Sequence, residues 1–382
     1  MEESAGGFPV PRVDDALCTR CGLCLQSCPG AKSDDAPSGD LFPDRCFVGH
    51  AVDPEVRRRS ASGGGVTALL LSLLDSGEIT GALLAKDPGD GSLRPKGFVA
   101  RTAEEIRSAA GSHYVATPLL AALPDRIPEG ERLAVAGLPC QIRALENAAR
   151  RNASWRDRVV LKIGLVCDRS LSARVADYAK WRAGADDAVR ISWRDKGARL
   201  PDGRTGWPGA IRVETASGKE IALPTQERMW VKDRFTGLHC RLCEDKFNSR
   251  ADVVFGDPYG VSDAPEGESA VLVRTDRGAE ALENARAAGF LETRRVEKAA
   301  LEAKHKAKSS TPRTDAEKAL FELSRKVSER GVPSEEFPEI AALYESRLRK
   351  ENRARLRRRI VRIAKKPLSV LRTLLRKAAR HG

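Results

Sequence analysis

Residues 133–151, LAVAGLPCQIRALENAARR, join an apolar run to a short loop and a helix-length segment. The run Leu133–Gly137 has the length and composition of a buried strand, and the helical pattern begins again at Gln141. This order of strand, loop and helix predicts an α/β or α+β body. Similar apolar strand candidates recur along the chain at ITGALLA (79–85), VVLKIGLVC (159–167), ADVVFG (251–256) and AVLV (270–273).

The segments around these strands differ in amino-acid composition and periodicity. Residues 190–225 alternate short β-like pieces with Gly and Pro, which predicts an antiparallel excursion from the main sheet. After Leu291 the chain becomes rich in Lys, Glu and Ala, and we expect surface helices and linkers up to Tyr344. Residues 1–50 are rich in Cys, Pro, Gly and Asp without periodicity, as expected of a small unit held together by a bound cluster.

Length and composition restrict the class of protein. The 382 residues, 41% of them hydrophobic, are enough for two or three globular domains. The longest apolar run, Val66–Leu74, is too short to cross a bilayer. The acidic N-terminus lacks a basic-then-apolar signal pattern, so we expect a cytoplasmic protein with reduced thiols. Its nine cysteines are therefore interpreted as metal ligands or redox groups before disulfides.

The positive charge of the chain is concentrated at its end. Residues 347–382 contain 15 Lys and Arg against the single acid Glu351, whereas the whole chain has a formal net charge of +13. Apolar residues such as Leu356, Ile360 and Leu371 recur between these basic residues at helical spacing, with Pro367 as a bend. We expect an amphipathic basic helix that meets an anionic membrane surface or an acidic partner protein. The near-neutral remainder disfavours nucleic acid as a partner of the body.

The segment CTRCGLCLQSCP is the most specific motif in the chain. It places four cysteines in the C-x2-C-x2-C-x3-C-P spacing of bacterial ferredoxins: Cys18, Cys21, Cys24 and Cys28. Two-residue gaps let one turning loop present three thiolates to the iron atoms of a cubane, so the spacing favours a 4Fe-4S cluster over zinc. In two-cluster ferredoxins the fourth cysteine serves the other cluster, so either Cys28 or Cys46 could complete this one.

Four further cysteines are dispersed: Cys140 in GLPCQ, Cys167 in GLVCD, and Cys240 with Cys243 in HCRLC. The first two directly follow apolar strands, and strand ends at one sheet edge are where α/β folds assemble sites. The C-x2-C pair can chelate one ion or one face of a cluster. The four thiols converge into a second cluster, or else two of them are buried structural cysteines beside a zinc knuckle or redox dithiol.

The segment SASGGGVT, residues 60–67, places three glycines and two hydroxyl-bearing residues before an apolar helix. Backbone N–H groups and the positive end of the helix dipole suit an anion such as a phosphate, although such turns are more often only turns. The chain has neither a Walker lysine nor a G-x-G-x-x-G after a strand. This argues against a P-loop hydrolase and an ordinary nicotinamide site.

Taken in chain order, SASGGGVT, AAGSHYVATPLL, GLPCQIRALE, GLVCD and HCRLCEDKFNSRADVVFGDPYG resemble the beta subunits of coenzyme F420-reducing hydrogenases and dehydrogenases. The resemblance covers roughly residues 18–289. Within that family the CGLC and VGHAVD segments are most similar to the branch of 7-hydroxymethyl chlorophyll a reductase and divinyl chlorophyllide reductase. The family consists of iron-sulfur flavoproteins that bind FAD.

The resemblance implies roles that spacing does not give. Contacts to FAD or substrate are implied for Ser62, Gly63, Gly64, Thr67, Ser112, Tyr114, Gly137, Pro139 and Gln141. Metal ligation is implied for Cys140, Cys167, Cys240 and Cys243, in addition to Cys18, Cys21, Cys24 and Cys28. Asp257 matches a family segment where a structural role is as reasonable as a cofactor contact.

The resulting prediction is an α/β (α+β) flavoprotein body with a small N-terminal ferredoxin-like iron-sulfur segment and a C-terminal basic amphipathic helix. Its predicted regions are a cluster segment, a flavin-binding region, a second-cluster region, a helical linker and a basic tail, at residues 1–50, 51–130, 131–300, 301–345 and 346–382. No residue is predicted to be catalytic.

We expect an oxidoreductase that passes electrons between ferredoxin or another redox protein, 4Fe-4S clusters and FAD, and acts on a small-molecule substrate. A deazaflavin or an unsaturated ring compound would fit this chemistry. The alternatives are an electron-relay subunit without its own substrate and a zinc-stabilised binding protein.

Overall fold

The computed structural model describes residues 1–31, 41–243, 245–306, 334–346, 348–350 and 352–354. The chain divides into two compact units, residues 1–332 and residues 333–382. In the described part of the second unit, a 3-10 turn at Ser334–Glu336 precedes a helical segment at 337–346. The predicted basic amphipathic helix at 346–382 lies almost entirely outside the described residues, so it stays a prediction.

The first unit is organised around an eight-stranded mixed sheet with the order β13-β3-β12-β11-β7-β6-β4-β5. The strands are β1 Glu2–Glu3, β2 Pro9–Val10, β3 Arg45–Ala51, β4 Gly81–Lys86, β5 Lys96–Ala100, β6 Leu133–Gly137, β7 Val159–Leu165, β8 Ala188–Asp195, β9 Ala210–Thr215, β10 Glu220–Pro224, β11 Val253–Gly256, β12 Ser269–Val273 and β13 Leu291–Arg295. Four of them, β4, β6, β7 and β11, run parallel at the centre, and antiparallel strands flank them on both sides. The predicted α/β class is confirmed at this level.

Helices cover both faces of the sheet. They are α1 Leu23–Ser27, α2 Pro54–Arg59, α3 Gly65–Asp75, α4 Ala103–Ser108, α5 Pro139–Ala149, α6 Ala153–Arg158, α7 Arg174–Ala183, α8 Thr225–Phe235, α9 Leu238–Leu242, α10 Asp276–Ala287 and α11 Lys298–Lys306. Along β6, Ala134 and Ala136 pack into the apolar cluster of α3 and α10, whereas Leu133 and Val135 pack against α5. A central strand buried on both faces explains why LAVAG is a continuous apolar run.

The antiparallel excursion predicted for residues 190–225 is confirmed as a separate three-stranded sheet, β10-β9-β8. It belongs to a long insertion that leaves the carboxyl end of β7 and returns to the sheet at β11. The helices α7, α8 and α9 lie in the same insertion. Because β7 and β11 are parallel, the insertion starts at the carboxyl edge of the sheet and enters β11 from the opposite edge.

Two expectations about flanking segments were wrong. The region after Leu291 begins with a strand, β13, which pairs antiparallel with β3, and the expected helix follows only at α11. Residues 1–50 do not all lie outside the core, because β3 starts at Arg45 and sits between β12 and β13. As an edge strand, β13 pairs with a neighbour on one side only, and most of its side chains are exposed or partly exposed. Its sequence, LETRR, is therefore polar and has no strand signature.

Among the described helices, none is both long and apolar enough to serve as a membrane-spanning segment.

Candidate functional site

The carboxyl ends of β6 and β7 place two of the predicted ligands side by side. Chain leaving β6 at Gly137 reaches Cys140 in the first turn of α5, and chain leaving β7 at Leu165 reaches Cys167 two residues later. The strands are parallel neighbours paired at Gly137 and Gly164. The predicted convergence of these two loops at one sheet edge is therefore present in the structure.

A buried amide ties the two strand ends together. The side chain of Asn248 is completely buried, and its Nδ2 donates to the carbonyl oxygens of Gly137, at 2.8 Å, and Leu165, at 3.4 Å. A Cβ atom at Gly164 would come within 2.7 Å of the Asn248 Cγ, so glycine is required beneath this amide. Asn248 also has a φ of 53°, a left-handed conformation that asparagine tolerates better than most residues. No local sequence pattern marks Asn248.

The C-x2-C pair approaches the same place. The N–H of Ser170 donates to the Cys240 Sγ at 3.3 Å, the Cys243 Sγ contacts the Asp245 carbonyl oxygen at 3.6 Å, and the Cys167 N–H donates to the Lys246 carbonyl oxygen at 2.9 Å. These bonds join the segment after β7 to the segment after α9. All four thiols, from Cys140, Cys167, Cys240 and Cys243, thus lie on segments that meet at the carboxyl edge.

The four thiols also interact electrostatically. Burial raises the pKa of Cys140 to about 12, and the negative charges of Cys240 and Cys243 add to this. The pKa of Cys167 is raised well above its usual range by burial and then by the other three thiolates. Cys140 remains accessible to solvent although protein surrounds most of its side chain. Four thiols that cannot ionise together without repulsion are suited to a cationic group that binds them as thiolates.

Among the described residues, no three His, Cys, Asp or Glu side chains are spaced to hold one metal ion. A cubane takes one thiolate per iron atom, so its four ligands stand farther apart than the four ligands of a single zinc. The donor set, four cysteines without His or carboxylate, fits an iron-sulfur cluster. Ligation by these cysteines stays a prediction.

The N-terminal cysteines lie on an exposed segment that packs on α5. Gly22, with a φ of 72°, precedes α1, and all four thiols of the run are solvent-accessible. Hydrogen bonds from the Leu23 N–H and the Thr19 hydroxyl lower the pKa of Cys21. The segment is held by Asn147, whose Nδ2 donates to the Ser27 carbonyl oxygen at 3.4 Å, and by Arg151, which donates to the Gln26 Oε1 at 2.6 Å.

The helix α5 consequently connects the two cysteine groups. It carries Cys140 in its first turn and Asn147 two turns later, a separation of about 10 Å along the axis at 1.5 Å per residue. The two predicted clusters are therefore attached to the two ends of one short helix.

Cys46, the alternative fourth ligand, has a different environment. It is fully buried within β3, its Sγ donates to the Pro43 carbonyl oxygen at 3.0 Å, and burial raises its pKa to about 11. It packs among apolar residues, including Val48 and Phe247. The structure makes Cys46 a core residue, so Cys28 stays the predicted fourth ligand.

The Gly-rich turn is bound tightly to the sheet. The Ser62 hydroxyl donates to the Glu268 carbonyl oxygen, and the Gly63 N–H donates to the Ser269 Oγ at 3.0 Å. A Cβ at Gly63 would lie 2.6 Å from the Gly49 carbonyl oxygen and 2.7 Å from the Ser269 backbone nitrogen. Ser62 and Gly63 therefore have structural partners within the chain.

The following part of the turn retains the features of an anion site. Gly64 adopts a φ of 81° and provides no side-chain cap for α3, an eleven-residue helix, and Thr67 is buried in its first turn. The first N–H groups of a helix lack partners within the helix and point toward the positive end of its dipole. A phosphate at this helix terminus, expected from the glycines and the helix dipole, stays a prediction, as does the flavin contact that the resemblance implied.

Lys196, which no local sequence pattern marks, holds this turn through hydrogen bonds. Its Nζ donates to the carbonyl oxygens of Arg57, Ser62 and Glu266, the last two at 2.6 and 2.7 Å. Burial lowers its pKa to about 8. One ammonium group thus fixes the backbone on both sides of the Gly-rich turn.

A buried ion pair lies beside it. Arg194 and Asp257 form two parallel hydrogen bonds of 2.9 Å, and the Trp207 Nε1 donates to Asp257 at 3.3 Å. Burial would raise the pKa of Asp257, but Arg194 outweighs it and holds the carboxyl ionised. Ser62 also lies within hydrogen-bond reach of this carboxylate. Asp257 therefore has the structural role that was one of its two predicted readings.

Three more predicted residues are placed as follows. The Gln141 Oε1 accepts from the Leu138 N–H at 2.9 Å while its Nε2 donates to the Thr117 carbonyl oxygen at 3.0 Å. Pro139 opens α5, where its missing N–H is not needed. Half-buried Ser112 lies two residues before Tyr114, on the same segment as Thr117.

Tyr114 stacks against an arginine. The guanidinium carbon of Arg228, on α8, lies 3.6 Å from the centre of the Tyr114 ring, and Trp193 meets that ring edge-on at 6.2 Å. An isolated bridge pairs Val115 with Leu171, and a second bridge pairs Leu171 with Thr236. These bridges join Tyr114, the segment after Cys167 and the end of α8 at one place.

A cavity of about 480 Å³ lies at the opposite end of the sheet, between Gly77, Arg132 and Val160. None of the predicted site residues lines it. The convergence of thiols, rather than this cavity, defines the candidate site.

Comparisons with known proteins show the family of this chain. The family model for the N-terminal region of the coenzyme F420 hydrogenase/dehydrogenase beta subunit matches residues 46–124, and the model for its C terminus matches residues 130–299. The matched regions contain all nine predicted flavin-site residues and the four dispersed cysteines. The N-terminal cysteine run precedes both regions.

Curated relatives and a solved structure are consistent with these matches. The coenzyme F420 hydrogenase subunit beta of Methanosarcina barkeri is 28% identical over 262 residues, which is 66% of this chain and 82% of the relative. The F420-dependent formate dehydrogenase 1 subunit beta of Methanococcus maripaludis is 28% identical over 264 residues, covering 68% and 64%. A chain of the F420-reducing [NiFe] hydrogenase complex of Methanosarcina barkeri superposes with a TM-score of 0.53 at 22% identity, covering 76% of this chain and 92% of that chain, and shares the fold.

Proposed function

Because this chain belongs to the coenzyme F420 hydrogenase/dehydrogenase beta-subunit family, we propose that it is an iron-sulfur flavoprotein that exchanges electrons between a redox partner protein and an organic substrate. Its relatives are named as subunits of F420-dependent hydrogenases and formate dehydrogenases. A deazaflavin or an unsaturated ring compound is the proposed substrate class, and ferredoxin is the proposed type of partner.

The convergence of Cys140, Cys167, Cys240 and Cys243 at the carboxyl edge is the observation that carries this proposal. In the proposed holoprotein these thiolates hold one 4Fe-4S cluster, and Cys18, Cys21, Cys24 and Cys28 hold another. Clusters transfer single electrons, whereas a bound flavin stores two and delivers them as a hydride. The role of the protein is to hold the two clusters and the flavin at fixed positions relative to one another.

Residues at the sheet edge perform that positioning. Asn248 fixes the two strand ends from which Cys140 and Cys167 extend, and α5 keeps the N-terminal segment at a set distance from them. The first N–H groups of α3 would hold a phosphate of FAD, while Lys196 fixes the backbone of the Gly-rich turn. The partial burial of Cys167 and Cys240 limits the access of water to a cluster held there, and solvent access is one of the factors that set its potential.

Metal analysis of anaerobically purified protein tests this assignment. We expect about eight iron atoms and one FAD per chain, since each cubane contributes four irons. Cys167→Ser should reduce the iron content by about half, and Cys46→Ala, which alters a buried thiol outside both proposed sites, should leave it unchanged. A colourless protein that contains zinc would contradict the proposal and support a zinc-stabilised binding protein.

An electron-relay subunit is the second candidate, because the relatives are named as subunits of larger enzymes. Turnover separates the two candidates. Reduced ferredoxin supplied with coenzyme F420 should give reduced F420 if the chain acts on its own substrate. A pure relay would reduce its FAD under these conditions without reducing F420.

A further inference from the structure

Arg228 is a buried cation with an unsatisfied hydrogen-bond donor. It is 6% exposed, and its Nε has no hydrogen-bond partner. One of its terminal nitrogens contacts only the thioether sulfur of Met229, at 3.4 Å, which is a weak acceptor. Among the described residues, no carboxylate forms an ion pair with this guanidinium.

The neighbouring charges do not compensate it. The carboxylate of Asp257 is occupied by Arg194 in a two-bond pair. Glu227, next to Arg228 on α8, faces the hydroxyl of Tyr178 and the Nε of Arg182 instead. An unpaired charge in the protein interior is costly, and such residues are retained where a ligand of opposite charge completes them.

The stacking on Tyr114 does not use the N–H donors of the Arg228 guanidinium. A cation–π contact uses the flat face of the group, at 3.6 Å from the ring centre, whereas its N–H donors lie in the plane. That planar fork matches the two oxygens of a phosphate. The ring therefore orients the donors without occupying them.

Several basic groups lie close to this position. Arg194 and Lys196 stand at the end of β8, and Lys196 touches the Gly-rich turn that precedes α3. Arg228 interacts electrostatically with Arg194 and, oppositely, with Asp257. The excess of positive charge indicates an anionic ligand rather than a neutral one.

We propose that Arg228, stacked on Tyr114 and left without a carboxylate partner, binds a phosphate group of the ligand that occupies the candidate site. This inference deepens the proposed function and rests on it for the identity of the ligand. The phosphate belongs either to FAD or to a phosphate-bearing substrate such as coenzyme F420.

Binding measurements on the full chain distinguish these sources. FAD affinity is measured for the wild type, Arg228→Gln and Arg234→Gln, which removes the same charge from an exposed position on the same helix. If the phosphate is that of FAD, Arg228→Gln should weaken FAD binding about tenfold or more, and Arg234→Gln should change it less than about twofold. If it belongs to the substrate, FAD affinity is unchanged and the Kd of F420 for the FAD-loaded protein rises instead by about tenfold.

A second measurement distinguishes loss of the anion site from a variant that fails to fold and from failure of the proposed function. Inorganic pyrophosphate should raise the unfolding midpoint of ligand-free wild type and Arg234→Gln but not that of Arg228→Gln. Arg228→Lys keeps the buried charge without the fork, and we expect it to fold and to weaken binding by a smaller factor. If the wild type binds no flavin but responds to pyrophosphate through Arg228, the proposed function fails and the anion site stands. Equal affinity of all variants for FAD, F420 and pyrophosphate would overturn the site.

Discussion

Asn248 shows how one side chain can determine the geometry of a whole site. Its amide bonds two carbonyl oxygens on neighbouring parallel strands, three residues before Cys140 and two before Cys167. Because both strand ends also pair with each other, the amide closes a small rigid frame. This frame therefore determines the position of any group that Cys140 and Cys167 bind.

Replacement of Asn248 by aspartate should therefore disturb both stability and cluster loading. Asn248→Asp exchanges the Nδ2 donor for an oxygen that faces two carbonyl oxygens in a buried place, so we expect a loss of about 2–4 kcal/mol in the free energy of unfolding. Iron content should fall as well. The matched control is Asn284→Asp, at an exposed position outside both proposed sites, where the Nδ2 makes a single bond of 3.3 Å. Denaturant unfolding with iron analysis checks this, and wild-type stability of Asn248→Asp would contradict the proposed frame.

Residue identity alone indicates candidate ligands but not the residues that support them. The N-terminal cysteines were predicted as ligands because thiols at cubane spacing are rare in a sequence. Lys196, Arg228 and Asn248 were missed because an isolated Lys, Arg or Asn normally indicates an exposed polar position. Their function depends on burial against partners distant in the chain, such as Gly137 for Asn248. Local sequence patterns cannot reveal such contacts.

At the scale of elements, the Gly-rich turn and α3 form one unit. The turn approaches β3 and β12 so closely that no side chain fits at Gly63, and the helix it begins is buried along most of its length. The sequence correctly predicted the turn and the helix. It could not predict β13, because a polar edge strand needs only one apolar contact and acquires its conformation from pairing with β3.

Gly63→Ala should displace the turn and weaken flavin binding. The new methyl group would meet backbone atoms at 2.6 and 2.7 Å, which cannot rotate aside, so a cost of about 1–3 kcal/mol in stability is expected. Gly77→Ala, just after the other end of α3, is the control. Its φ of 69° imposes strain of about 1–2 kcal/mol, but no atom lies within 4 Å of the new methyl group. FAD retention after dialysis should fall for Gly63→Ala alone, and equal retention in both variants would contradict a role of the turn in flavin binding.

At the scale of the whole molecule, the long insertion explains the assembly of the site. Arg194, Arg228, Cys240 and Cys243 all lie between β7 and β11, which are neighbours in the sheet. The insertion starts at the carboxyl end of β7, and the bonds of Ser170 with Cys240 and of Cys167 with Lys246 bring its later part back to that edge before the chain enters β11 from the opposite edge. The two central strands could be predicted from their apolar runs. Their adjacency could not, since strand order depends on packing of the complete sheet.

The N-terminal segment should be the entry point for electrons. Its four thiols are exposed, whereas Cys167 and Cys240 at the sheet edge are partly buried, so we expect a partner protein to reach the first group more easily. Removal of one N-terminal ligand should therefore interrupt transfer from the partner without affecting the inner site. Cys24→Ser is suitable, because Cys24 lies in α1 away from α5's own cysteine.

We expect Cys24→Ser to bind FAD normally and to retain about four iron atoms per chain. Its flavin should still be reduced by coenzyme F420H2 and should be reduced by ferredoxin at least about tenfold more slowly than in the wild type, since the outer relay is missing. Leu25→Ser alters the next residue, which is 63% exposed, and should preserve both rates. Stopped-flow measurement of flavin absorbance gives the two rates separately. Unimpaired reduction of Cys24→Ser by ferredoxin would show that electrons enter at the sheet edge directly, and the N-terminal cluster would then have a structural role.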